Sequence, residues 1–187
     1  MTKGAGGSRK LSVDDWIEAG YALLANGGIE ALKLDRLCGH LEVTKGSFYW
    51  HFTDMSAFRT ALARAWAELR DRDRRGFGEL SGLPPRDRLA AMMATLRGER
   101  QRALERAMRE WARTDPAVAD SVRAADQRVL AAVRTAFTDA GFDPDEAEMR
   151  ASATFAAGIG FLHLSEAPAG PQLAHQQERF LDVMLGR

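Results

Sequence analysis

The run Thr44-Lys45-Gly46-Ser47-Phe48-Tyr49-Trp50-His51-Phe52 holds side chains whose chemistry is recognition rather than catalysis. Thr44, Lys45, Ser47, Tyr49 and His51 all bear hydrogen-bonding groups, while Val43, Phe48 and Phe52 are free to turn inward on a short helix. The Thr44 hydroxyl can accept from the free N–H groups that open such a helix. A helix of this kind is built to be presented to a partner. The residue sets that catalysis requires do not stand out: there is no Ser/His/Asp arrangement, paired carboxylates or Gly-rich phosphate loop. Cys38 and His40 are two residues apart and do not share a helix face, and His163 and His175 fall in different predicted helices. No metal site, no cofactor and no enzyme activity are expected.

Two elements must position that run. Leu34, Leu37, Cys38 and Leu41 recur at i, i+3, i+4 and i+7, one apolar stripe on a two-turn helix. Cys38 takes the place of a small residue packed between helices, which favours a structural over a redox role. Glu42 and Val43 form the turn; a positive φ at Glu42 would cost about 1 kcal/mol relative to Gly. Upstream, Ser12 followed by Asp15 reads as a capping box with an acid in place of the usual Glu. Val13, Trp16, Ile17, Gly20 and Leu24 then keep helical spacing until Asn26-Gly27-Gly28 stops the helix. The first fifty residues thus predict three helices, the last two forming a helix-turn-helix.

The first helix, Gly27-Gly28, Leu34-(x)2-Leu37 and Val43-Thr44-Lys45-Gly46-Ser47-Phe48-Tyr49-Trp50-His51-Phe52 together resemble the DNA-binding domain of TetR-family transcriptional regulators. The specific part of the resemblance covers roughly residues 12 to 62. It implies a homodimer that binds a palindromic double-stranded DNA operator with its N-terminal domains and a small-molecule effector with its C-terminal ones. Thr44, Lys45, Gly46 and Ser47 then match the start of the recognition helix, and Tyr49, Trp50 and His51 its continuation toward the DNA backbone. The chemistry agrees, since hydroxyls and helix N-terminal amides bind phosphate oxygens and Lys reaches a guanine edge. Three positions depart from the family pattern: Lys33 stands where a Thr or Ser often caps the second helix, Glu42 where the turn usually has Gly, and Met55 where a phosphate-binding Lys often begins the next helix.

From about Asp54 the periodicity resumes with Phe58, Leu62, Ala65, Trp66 and Leu69, predicting a long helix into a second domain. Pro84-Pro85, Asp115-Pro116 and Asp143-Pro144 are successive start signals, and Gly141 is a stop. No period-2 run is convincing. The fold class is all-α, with about nine helices: a basic tail over residues 1–10, expected to be disordered, with Lys3, Arg9 and Lys10 able to lie along phosphates; a helix-turn-helix domain over 11–55; and a helical effector-binding and dimerisation domain over 56–187.

Met92, Met93, Leu96, Met108, Trp111, Phe137 and Phe155 are candidates for a pocket wall suited to a bulky apolar ligand, with Trp66 and His163 as polar-tipped additions. Ordinary core packing accounts for most such residues. Ala153, Ala157 and Gly160 lie in a small-residue helix that, with Phe180 and Met184 of the last helix, suggests a dimer seam of four helices across a two-fold axis. A tight contact within the chain is the simpler reading of the same pattern.

Composition restricts the partners. Hydrophobic residues at 45% suffice for a real core, and 26 basic against 26 acidic residues confine any nucleic-acid surface to a local patch. One cysteine excludes an intramolecular disulfide and fits a reducing compartment. Without a membrane-length apolar run or signal peptide, the expected location is cytoplasmic. The expected function is a ligand-responsive transcriptional regulator, a repressor released from DNA by a small apolar effector. The rival class is a small helical ligand-binding protein or enzyme without DNA binding.

Overall fold

Ser12 caps the first helix as its spacing to Asp15 predicts: its hydroxyl accepts from the Asp15 amide at 3.2 Å, and the Asp15 carboxylate accepts from the Ser12 amide at 2.8 Å. In the computed structural model, residues 11–95, 98–164 and 171–186 are described. The tail cations Lys3, Arg9 and Lys10 and the pocket candidate Leu96 lie outside them. The described residues contain α1 (Val13–Gly27), α2 (Leu34–Leu41), α3 (Lys45–Tyr49), α4 (Met55–Glu79), α5 (Pro85–Ala94), α6 (Glu99–Trp111), α7 (Pro116–Asp139), α8 (Pro144–Leu164) and α9 (Pro171–Met184), and no strand. The fold is all-α.

Contacts divide the chain into two compact units, one ending at Leu62 and the other beginning at Ala63, within α4. In the N-terminal unit, α1 packs on α2 and α2 on α3. Its centre is aromatic: Phe48 lies 5.4 Å from Trp16, 5.3 Å from Phe52 and 5.8 Å from Phe58, measured between ring centroids. Trp16, Phe48 and Phe58 are fully buried. Deleting a buried ring of this kind costs about 3–5 kcal/mol. Gly20 is needed because a Cβ there would come within 2.8 Å of the Phe58 ring and 2.9 Å of a Leu62 methyl.

The C-terminal unit is organised on α7, which packs extensively on α8 and also meets α5 and α6. Leu89, Val133, Ala136, Phe137, Ala151 and Leu181 are core members from α5, α7, α8 and α9. Both Asp-Pro start signals operate. Asp115 Oδ1 accepts from the amides of Ala117 and Val118 at 3.0 and 3.2 Å, and Asp143 Oδ1 from that of Glu146 at 2.9 Å. Arg86 ties α5 to α9 through Glu178 and Asp182 at 3.0 and 2.8 Å. No helix among the described residues is long and apolar enough to cross a membrane.

Candidate nucleic-acid interface and ligand cavity

The turn between α2 and α3 is set by two backbone hydrogen bonds, from Glu42 N–H to Gly39 C=O at 3.4 Å and from Val43 N–H to Cys38 C=O at 3.0 Å. They form the paired C-terminal cap that demands a left-handed residue. Glu42 supplies it at φ 56°, ψ 39°, among the described residues the one non-glycine with positive φ. Its side chain is exposed.

From this turn α3 is presented with one buried anchor. Phe48 is fully buried, while Lys45 and Gly46 are exposed and Ser47 half-buried. Tyr49 is 57% and Trp50 88% exposed, whereas His51 is half-buried and Phe52 buried. Leaving Trp50 in water forgoes the burial free energy of a large ring, so packing within the described residues does not account for its position. One expectation is corrected. Thr44 is the N-terminal residue before α3, but its hydroxyl makes no capping hydrogen bond; its carbonyl accepts from the Ser47 amide at 3.0 Å. Thr44 is exposed, so its hydroxyl meets solvent instead of the helix amides.

Asp35, which no motif in the sequence marks, pairs with Lys45. Asp35 Oδ1 lies 2.6 Å from Lys45 Nζ, and both side chains are exposed. The hydrogen bond to Asp35, followed by its charge, raises the Lys45 pKa. Cys38, buried beside them, has a raised thiol pKa, first from desolvation and then from the Asp35 charge, with Lys45 opposing.

The C-terminal unit contains a partly open cavity of about 70 Å³. Met92, Met93 and Phe155 line it. Trp66, Met108, Trp111 and Phe137 are buried but are not part of its wall, and His163 is exposed. The polar side of the wall comes from residues not singled out in the sequence: Glu105, Arg109, Asp126 and Thr154. Arg109 engages Asp126 through two hydrogen bonds of 3.0 and 2.6 Å and Glu105 through one of 3.0 Å. Burial works against the guanidinium charge, but the Asp126 hydrogen bonds and the charges of both carboxylates outweigh it and raise the Arg109 pKa.

Of the seam candidates, Ala153 is exposed and Ala157, Gly160, Phe180 and Met184 are half-buried. Phe180 stacks edge-on against Phe161 at 6.4 Å, and the Met184 carbonyl accepts from Arg150. A Cβ on Gly160 would meet nothing within 4 Å, so packing among the described residues does not call for glycine there. No group of three or more metal-ligating side chains occurs among the described residues.

Residues 17–62 match the family model described as bacterial regulatory proteins, tetR family. The fold matches solved structures over nearly the full chain. A transcriptional regulator from Rhodococcus sp. Rha1 is 22% identical, with a TM-score of 0.74 over 94% of this chain and 95% of its own. A TetR-family member from Streptomyces coelicolor A3 is 19% identical, with a TM-score of 0.66 over 91% and 96%. The regulator FadR from Bacillus subtilis, solved in complex with stearoyl-CoA, is 11% identical, with a TM-score of 0.69 over 93% and 98%. No curated protein matches the chain.

Proposed function

We propose that this chain, a TetR-family transcriptional regulator with its DNA-binding helix-turn-helix at the N-terminus, is a repressor that leaves a palindromic operator when a small molecule enters its C-terminal unit. The observation that carries the reading is α3: a helix with Phe48 as its one buried side chain, and with Lys45, Tyr49 and the following Trp50 turned to solvent. Lys45, Gly46 and Ser47 approach base edges in the major groove, while Thr44, Tyr49, Trp50 and His51 contact phosphate and sugar. The chain acts as a homodimer, which sets two copies of α3 about 34–36 Å apart, one turn of DNA. The face of α8 bearing Ala153, Ala157 and Gly160, with Phe180 and Met184 of α9, is its seam. The idle glycine at position 160 supports this choice.

The cavity beside Met92, Met93 and Phe155 is the effector site, a reading favoured by the relative of the same fold that holds stearoyl-CoA. Release follows from a population shift: the effector prefers a conformation in which the two recognition helices no longer match successive grooves. Equal affinity for both conformations would shift nothing. The helix α4 supplies residues to both units and is the covalent route for that coupling. The test is retardation of DNA from upstream of the protein's own gene at low salt. Specific retardation reversed by a cavity ligand is the expected result. Absence of specific retardation overturns the reading, and turnover of a bound small molecule without DNA binding would favour the helical enzyme class.

A further inference from the structure

We infer that the cavity of the C-terminal unit takes an apolar ligand bearing a positive charge, with Glu105, Asp126 and Thr154 receiving its charged end. The inference rests on reading that cavity as the effector site and adds the chemical class of the effector. Its apolar wall, Met92, Met93, Phe155 and Val129 among others, accommodates a hydrocarbon or aromatic body.

Charge decides the polar end. Among the described residues two carboxylates and one guanidinium line the cavity, which leaves one negative charge in that set. Among the described residues Arg109 is the sole cation of the wall, and it already holds Asp126 through two hydrogen bonds and Glu105 through a third. An anionic ligand would bring a third negative charge to an Arg109 that already holds two carboxylates, in a low-dielectric site. An organic ammonium group meets the opposite situation. It can share the carboxylates without breaking their hold on Arg109. The Arg109 Nε–H has no partner among the described residues, which leaves a place for a neutral oxygen on the same ligand.

Thr154 supplies the second observation. Helical Ser and Thr hydroxyls in this chain commonly donate to the carbonyl one turn back, as Thr60 does to Ser56, Ser121 to Ala117, Thr135 to Ala131 and Thr138 to Arg134, at 3.0 to 3.2 Å. Thr154 departs from that habit. It is 4% exposed, lines the cavity, and its Oγ1 is buried with no hydrogen-bond partner among the described residues. A buried hydroxyl left unpaired is costly, and its lone pairs suit an ammonium N–H donor.

The test compares n-octylamine, 1-octanol and octanoate at neutral pH by calorimetry on the full chain. These probes share an alkyl body and differ in charge. Octylammonium should bind roughly tenfold more tightly than octanol, with octanoate weakest. Thr154→Val should weaken octylammonium by roughly tenfold, and Asp126→Asn should abolish its advantage over octanol. If Asp126→Asn does not fold, judged by helical circular dichroism, the ranking on the unmodified protein and the Thr154 variant decide. Octanoate binding as tightly as octylammonium, no octylammonium binding, or an unchanged affinity in Thr154→Val would each overturn the inference. The regulatory reading is scored separately by retardation. Release of DNA by octanoate or octanol alone removes the charge inference and supports the effector site, while octylammonium bound without any effect on DNA supports the charge inference and removes the effector role.

Discussion

Asp35, in the first turn of α2, holds Lys45, the first residue of α3, across 2.6 Å. Lys45 thus carries its own counter-ion in the free protein, and under the proposed function DNA has to compete with a carboxylate for it. Asp35→Asn releases that competition. The variant should bind DNA several-fold more tightly at low salt, with a salt dependence steeper by about one released counter-ion. Fluorescence anisotropy across a salt series checks both, and an unchanged slope would show that Lys45 does not reach phosphate or base. The melting temperature should hardly move, because an ion pair this exposed contributes little.

Lys45→Ala, Tyr49→Phe and Trp50→Ala address the presented face directly. Each removes groups that lie mostly in solvent, so the helical circular dichroism should be retained while operator affinity falls by roughly tenfold per lost contact. Undiminished affinity in all three would place the DNA elsewhere on the chain.

Glu42 bears a backbone cost that Gly would not. Glu42→Gly should stabilise the protein by about 1 kcal/mol, since φ 56° is unfavourable for a residue with a Cβ, less the extra entropy Gly brings to the unfolded chain. Chemical denaturation reads it. A destabilised Glu42→Gly would mean that the exposed carboxylate has a favourable role outweighing the backbone term.

Gly20→Ala should destabilise by about 1–3 kcal/mol through overpacking. The new Cβ would press on Phe58 and Leu62, both fully buried, and Phe58 is held among Phe48 and Phe52 at 5.8 and 5.1 Å. A neutral result in thermal melting would show that this ring stack gives way easily.

Cys38 provides a pH-dependent readout. Its raised folded pKa means that the native state holds the thiol proton more tightly than the unfolded chain does. That contribution is complete below the unfolded thiol pKa and is lost as pH rises through the folded value. Stability should therefore decline on the alkaline side of the thiol range in the wild type, less so in Cys38→Ala. Alkylation of the native protein should also be slow compared with the unfolded chain.

The local signals were legible because each acts over a few residues. The Ser12–Asp15 box, the Asp-Pro helix starts and the left-handed Glu42 all depend on neighbours within one turn. The pairing of Asp35 with Lys45 crosses a turn, and that of Arg109 with Asp126 joins α6 to α7, so both look like ordinary solvated charges along the chain. Thr154 was hidden for a related reason. Its distinction is a missing hydrogen bond, and only a folded helix reveals which hydroxyls make one. Large apolar side chains marked the core more reliably than the cavity: Met108, Trp111 and Phe137 are buried away from a wall that Met92, Met93 and Phe155 help to form.

With Phe48 as its one buried side chain, α3 separates what holds the helix in the core from what it displays. Substitutions at Lys45, Gly46 or Ser47 change the displayed chemistry with little consequence for the aromatic centre, so new binding preferences are accessible by single steps that leave the fold viable. A change at Phe48 offers no such freedom. Paralogues diverging from a common ancestor with this arrangement would keep the anchor and vary the display.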